Sequence, residues 1–221
     1  IATGASTMVP PVWKIDGKHV VTYQEAILQE TLPNSAIIIG AGAIGVEFAT
    51  VWHSYGAEVT IVEMLPNLVP LEDEETSAEL AKAFKKRKIN VMTGHKVQSI
   101  QATETGVEVK VSGEKGDATL VADQALVAIG FKPNGRGIGL EEVGVKLTER
   151  GAVEVDERMA TNIPGIWAIG DVTAKMMLAH VGSAQAMICA ESIAGLETTP
   201  LKYENMPRAT YCQPQVASFG L

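Results

Sequence analysis

The stretch AIIIGAGAIGVE, Ala36 to Glu47, constrains this chain more than any other feature, because a short apolar run meets three glycines at fixed spacing and then a helix-periodic segment. Gly40, Gly42 and Gly45 make a GxGxxG pattern. Glycine is common here (21 residues), so the pattern is informative only through its surroundings: a strand before it, a helix after it and an acid at the end of the next strand. Each glycine has a mechanical reason. Gly40 permits the tight turn, Gly42 lets the backbone approach a pyrophosphate, and Gly45 lets helix and strand pack closely. The helix start then offers unpaired N–H groups and partial positive charge to phosphates. Glu63 closes the following strand 18 residues beyond Gly45. A carboxylate there can accept hydrogen bonds from both hydroxyls of an adenosine ribose and would repel a 2′-phosphate. The next residues, Met64 and Leu65, supply no arginine to bind one, which selects NAD over NADP. Glu47 has two readings: dipole compensation in the first turn of the helix, or a place near the nicotinamide end of the cofactor.

The rest of the chain extends the same rhythm. Residues 36–39 read as a strand, 43–55 as a helix, 57–63 as a strand, 72–87 as a helix and 89–93 as a strand. Crossover helices between short apolar strands imply two βα units feeding a parallel sheet. Alternating and β-branched segments at 96–102, 107–112 and 119–122 follow, punctuated by Gly106, Gly113 and Gly116, and read as an antiparallel meander. Residues 124–129 return as a buried strand ending at Gly130. The stretch 134–165 is turn-rich with a short strand at 153–155, residues 166–169 are a strand, and 181–194 are a helix. Before the glycine turn, residues 1–5 resemble a strand end entering a turn, and 6–35 are mixed and loop-like with a short helix at 23–30. The fold class is α/β: a Rossmann-like domain whose parallel sheet carries an antiparallel meander.

Composition excludes several functions. A net charge of -8 argues against a nucleic-acid surface, which needs a clustered positive field. The densest basic run, KAFKKRK at 82–88, closes a helix opened by Glu72-Asp-Glu-Glu75, a polarity that suits the helix dipole. No apolar run approaches the roughly 18 residues of a spanning helix, and no signal-peptide pattern is seen. Cys189 and Cys212 are 23 positions apart and form neither a CxxC nor a metal cluster. Cys189, among small and apolar helical residues, reads as a buried inert thiol. His19, His53, His95 and His180 show no ligand spacing, so no metal site is expected. These features fit a soluble, cytoplasmic protein.

A second stretch, Gly165-Ile-Trp-Ala-Ile-Gly-Asp171, places an acid after a buried strand and a glycine. An aspartate there can bind the polyol of a flavin or simply form a turn. Taken with Ala2-Thr-Gly4, the run 36–63, ALVAIGFKPN at 125–134, TNIPGIWAIGDV at 161–172, MLAH at 177–180 and the tail YCQPQVASFG, it makes the chain resemble the pyridine nucleotide–disulfide oxidoreductases over essentially its whole length. The resemblance implies a layout: residues 1–30 end a first flavin-domain segment, 31–132 form the NAD-binding domain, 133–202 are the second and incomplete flavin-domain segment, and 203–221 start a truncated dimerisation domain. It implies that Gly40, Ala41, Gly42, Ala43, Ile44, Gly45, Val46, Glu47 and Glu63 bind NAD, with Val97 and Gly130 adding backbone contacts. It places Thr3, Gly4, Ala5, Asp171, Met177, Leu178, Ala179 and His180 against FAD, His180 through its backbone. Two positions depart from the family: Ala5 stands where serine is usual, and Lys132 where an arginine is common.

The likeness is nearest to members serving 2-oxo-acid dehydrogenase complexes. These oxidise dihydrolipoamide carried by a lipoyl-bearing acyltransferase, through a redox CxxxxC and FAD, and work as homodimers. The chain contains no CxxxxC, no flavin glycine fingerprint and no histidine–glutamate pair of a dimerisation domain. It therefore reads as a partial chain with no catalytic residue of its own, expected to bind NAD at most, to lose FAD and not to turn over. Residues 133–202 are expected to repack or to expose apolar surface. Two other readings stand beside this one: a mercuric- or glutathione-reductase-like enzyme, and a standalone nucleotide-binding module without catalysis.

Overall fold

A computed structural model describes residues 1–114 and 116–220. The chain divides into two units. One holds residues 7–130 and 209–218; the other holds residues 1–6, 131–208 and the residues from 219.

The first unit is built on a five-stranded parallel sheet made of β2 (Val20–Val21), β3 (Ser35–Ile39), β4 (Glu58–Val62), β5 (Asn90–Met92) and β9 (Gln124–Val127), in the order β2-β9-β3-β4-β5. Its central strand β3 pairs with β4 on one side (Ile38 beside Ile61) and β9 on the other (Ile38 beside Leu126). Successive side chains of a strand face opposite ways, so a strand covered on both sides is apolar throughout. Ala36 and Ile38 accordingly enter one core with Trp52, Leu80 and Phe84. Ile37 and Ile39 enter another with Val107, Val109 and Val111. Helices α2 (Ala43–Ser54) and α3 (Glu74–Lys86) supply the first core. The antiparallel meander β6 (His95–Ala102), β7 (Val107–Gly113) and β8 (Gly116–Ala122) supplies the second. The meander thus covers the sheet face that a crossover helix would otherwise occupy.

Helix ends follow capping chemistry. Asp73 accepts the N–H groups of Glu75 and Thr76 at 2.9 and 3.2 Å and starts α3, whose last turn carries Lys85 and Lys86. This is the polarity expected for 72–87, with the helix one turn shorter. Helix α1 (Tyr23–Leu28) begins in a capping box of Thr22 and Glu25. The region 6–35 is therefore less loop-like than its composition suggests: besides α1 it holds β2, which pairs with β9 through Val20 beside Ala125. Two residues are too few to leave a periodic signal.

The second unit contains the two-stranded pairing of β1 (Ala5–Thr7) with β10 (Phe131–Pro133), the helix α4 (Ala179–Ile193) and a core of Val145, Val153, Ala168 and Val172. Asn134 ties its two chain segments together. It exchanges bonds with the Thr3 hydroxyl (2.8 Å), the Thr3 carbonyl (3.1 Å), the Gly4 carbonyl (3.0 Å) and the Ser6 hydroxyl (2.9 Å). The strands expected at 153–155 and 166–169 are reduced to single bridges, Leu147 with Val153 and Ala160 with Trp167. The segment around Trp167 is short because Gly165 and Gly170, both at positive φ, turn the backbone on either side. Burial of an apolar run does not by itself supply ladder partners. Finally, β11 (Arg208–Thr210) and β12 (Val216–Ser218) form a two-stranded sheet, and Cys212 and Val216 join the core of the first unit.

Candidate functional site

The carboxyl ends of β3 and β4 meet the start of α2 at the glycine turn. Gly40 donates its N–H to the Val62 carbonyl at 2.8 Å and sits at φ +103°. A Cβ placed on it would lie 2.3 Å from the Ala128 carbonyl oxygen. A Cβ on Gly45 would lie 2.0 Å from the Gly40 carbonyl oxygen, so the helix packs on the turn only because Gly45 has none. Gly42 differs. Its φ of -69° suits any residue, and a Cβ there would meet nothing within 4 Å. Two glycines therefore answer to the fold, and the third leaves open space at the start of α2. No side chain caps that start, and the first N–H groups of a helix have no intrahelical partner. The open space and free donors fit a pyrophosphate, the group the turn was expected to hold.

Glu63 stands beside this turn, 9% exposed. Its Oε2 accepts the Ala41 N–H at 2.7 Å and its Oε1 accepts the Leu65 N–H at 2.8 Å. An ionised carboxylate has about four acceptor sites, so capacity for sugar hydroxyls remains after both bonds. The loop after Glu63 returns to the turn: the Val69 N–H donates to the Ala41 carbonyl at 2.8 Å. Nothing in the periodicity announces this role for Val69.

Glu47 lies in the second turn of α2, not the first, so it is poorly placed to compensate the dipole. Its Oε1 accepts the Tyr211 N–H at 2.7 Å, and one turn on the Thr50 hydroxyl accepts the Gln213 N–H at 3.3 Å. Arg87 completes this contact by donating to the Gln213 carbonyl at 3.2 Å. Gly130 follows β9 at φ +114°, with open space where a Cβ would stand, and its carbonyl accepts the Met8 N–H at 2.8 Å. Val97 lies on β6 and packs on the core beneath the meander. Direct hydrogen bonding thus joins the glycine turn to Glu63, while Val97 and Gly130 occupy separate strands and strand ends of the same unit.

In the second unit Asp171 lies in a 3-10 turn, Gly170–Thr173. The turn is braced by Gln185, which is fully buried: its Oε1 accepts the Gly170 N–H at 2.6 Å and its Nε2 donates to the Tyr203 hydroxyl at 3.0 Å. Gln185 escaped the sequence reading because a glutamine in a helix of small residues carries no motif. Helix α4 starts without a side-chain cap just after Leu178, so Met177, Leu178, Ala179 and His180 bracket an open helix start. The His180 ring bonds the Pro207 carbonyl at 2.9 Å. Thr3 and Gly4 are engaged with Asn134, and Ala5 begins β1. The unit also exposes Ile138, Val143, Met187, Ile193 and Leu196.

Cys189 is half-buried and Cys212 buried, and burial pushes both thiols above the ordinary range. Among the described residues no three metal-ligating side chains gather, and no helix is long and apolar enough to cross a membrane.

Comparison with known proteins adds three findings. The family model described as pyridine nucleotide-disulphide oxidoreductase matches residues 1–186. The chain is 52% identical to the dihydrolipoyl dehydrogenase of Mycobacterium leprae and 47% identical to that of Corynebacterium glutamicum, in each case over all of this chain and 47% of the relative. Among solved structures, LpdA from Mycobacterium tuberculosis superposes with a TM-score of 0.92 at 30% identity, covering 100% of this chain and 47% of that one. The HOCl-induced flavoprotein disulfide reductase RclA from Escherichia coli gives 0.88 at 29% identity, covering 99% of this chain and 50% of that one.

Proposed function

Because the chain belongs to the pyridine nucleotide-disulphide oxidoreductase family, we propose that its glycine turn and Glu63 bind NAD, and that it carries the NAD-binding portion of a dihydrolipoyl dehydrogenase. The observation that carries this reading is Gly42: neither its φ nor its neighbours require glycine, and the missing Cβ leaves a cradle at an uncapped helix start. Glu63, buried beside that cradle and free of any adjacent arginine, favours NAD over NADP. In this reading residues 31–132 are the NAD-binding domain, 1–30 and 133–202 belong to a flavin domain, and 203–221 open a dimerisation domain.

The chain spans about half the length of the curated relatives it matches. The activity proposed for the whole protein is oxidation of dihydrolipoamide, borne by an acyltransferase of a 2-oxo-acid dehydrogenase complex, with reduction of NAD+ in a cytoplasmic homodimer. Bound FAD supplies the electron relay between the dithiol and NAD. This chain's share is to orient nucleotides. Gly40 to Glu47, Glu63, Val97 and Gly130 hold NAD. Thr3, Gly4, Ala5, Asp171 and Met177 to His180 touch FAD, with Gln185 steadying the turn that bears Asp171. The fit to FAD is partial, since these residues form one turn and one helix start with no second glycine-rich turn for the ADP half. With two cysteines 23 positions apart, the 221 residues hold no dithiol for disulfide exchange. They are expected to bind NAD+ without turnover and without retaining FAD.

The similarity to RclA keeps a second reading in view, another disulfide reductase of the same family, and a non-catalytic nucleotide-binding module is a third. Calorimetric titration with NAD+ and NADP+, beside the visible spectrum of the purified chain, separates them. Saturable binding of NAD+ in preference to NADP+ and a colourless protein support the proposal. Preference for NADP+ turns it toward the glutathione-reductase type, and no binding of either nucleotide refutes it.

A further inference from the structure

The Ala41 residue is held from two sides by groups outside the glycine turn. Its N–H donates to Glu63 Oε2 at 2.7 Å, and its carbonyl accepts the Val69 N–H at 2.8 Å. A peptide unit is planar, so fixing a carbonyl also fixes the N–H on its opposite edge. The Val69 bond therefore sets the direction of the Gly42 N–H, at the threshold of α2. Val69 makes this bond from an unfavourable conformation: φ is +40°, in the left-handed region where a β-branched residue is an outlier. Strain of that kind persists only where the surroundings over-determine it. Here they do. The Val69 side chain is 3% exposed in the helix-side core next to Leu68. The Leu68 carbonyl accepts the Ser77 hydroxyl of α3 at 2.7 Å, and the Leu65 carbonyl accepts the Gly94 N–H at 3.0 Å. The second oxygen of Glu63 holds the Leu65 N–H, so one carboxylate ties the loop 64–72 and the glycine turn together.

We propose that Glu63 and Val69 are positioning residues that clamp Ala41 and pre-aim the Gly42 N–H at a dinucleotide pyrophosphate. Glu63 then acts on affinity through the turn as well as through the ribose. This rests on the NAD reading of the same site. It also implies that Glu63 is no freestanding specificity switch, because removing it loosens the cradle for every dinucleotide.

The test separates the two roles of the carboxylate. The 221-residue chain and its E63A and E63Q variants are titrated with NAD+ and with an NAD+ analogue whose adenosine ribose lacks the 2′ and 3′ hydroxyls. Amide hydrogen exchange is followed at Ala41 and Gly42. The clamp requires that E63A weaken the analogue about tenfold, the effect of one lost hydrogen bond. E63Q, whose amide oxygen still accepts one N–H, should fall between E63A and the unsubstituted chain, with faster exchange at Ala41 while α3 stays protected. E63Q also serves should E63A fail to fold. A loss confined to NAD+, with the analogue within twofold and Ala41 exchange unchanged, overturns the clamp and leaves the cofactor reading standing. Failure of the unsubstituted chain to bind NAD+ overturns both.

Discussion

Gly42 and Gly45, three positions apart, allow one substitution to separate fold from site. Gly45→Ala brings a methyl to 2.0 Å from a backbone oxygen that cannot move without opening the turn. We expect a loss of about 3 kcal/mol, the upper range for overpacking, read from the midpoint of urea unfolding. Gly42→Ala adds the same methyl where nothing lies within 4 Å. It should cost about 1 kcal/mol or less as a helix N-cap change, yet weaken NAD+ at least tenfold in titration, because the methyl stands in the cradle. If Gly42→Ala binds NAD+ normally, the pyrophosphate does not lie there. At this scale the sequence was legible wherever spacing carries chemistry: three glycines and one acid located the turn. It was silent on Val69 and Gln185. A left-handed valine has no pattern, since its conformation is imposed by distant packing, and a buried glutamine is recognisable only once its partners Gly170 and Tyr203 are placed.

Among the elements, α1 is short and depends on its cap. Burial tends to raise the Asp16 carboxyl, but the N–H groups of Val20, Lys18 and His19 outweigh it and hold it below the ordinary range. The Thr22 hydroxyl does the same to Glu25, against a smaller effect of burial. A carboxyl whose folded pKa lies below its unfolded one contributes stability that is complete above the unfolded value, about 4, and lost as pH falls through the folded value. Amides of residues 16–28 should therefore lose exchange protection as pH drops below about 4, ahead of those in β3. Thr22→Ala should cost about 1 kcal/mol and remove part of that acid sensitivity; an unchanged profile would mean the capping box is not its source. The helices and central strands were readable because their periods and caps are local. The segments 153–155 and 166–169 were not, because a ladder needs a partner, whereas buried Val153 and Ala168, with the partly buried Val155 and Ile166 packed against them, satisfy the core without one.

The whole molecule offers a direct readout of nucleotide binding, since Trp52 of α2 is buried in the core between that helix and the sheet while Trp167 lies in the other unit. NAD+ at a hundred times its dissociation constant should stabilise the unit that binds it by about 2.7 kcal/mol. A variant with Trp52 as its only tryptophan should show the shift as a higher melting temperature. An unmoved Trp52 transition at saturating NAD+ would place the binding site elsewhere. With a net charge of -8, retention on duplex DNA at physiological salt is not expected, and a mobility-shift assay checks it. The sheet order carries one more consequence, in the time domain. The central strand β3 receives β4 within a few dozen residues, but its other flank is β9, which the chain reaches only after passing through the entire meander, and the edge strand β2 waits for that same β9. Until residue 127 is available, Ile37 and Ile39 border an unfilled place in the sheet. Pairings this distant in sequence incur their loop entropy before any contact repays it. Refolding should therefore be limited by the docking of β9, with β2 the last strand to gain protection, and a growing chain on the ribosome should hold an open, aggregation-prone edge for as long as the meander takes to emerge.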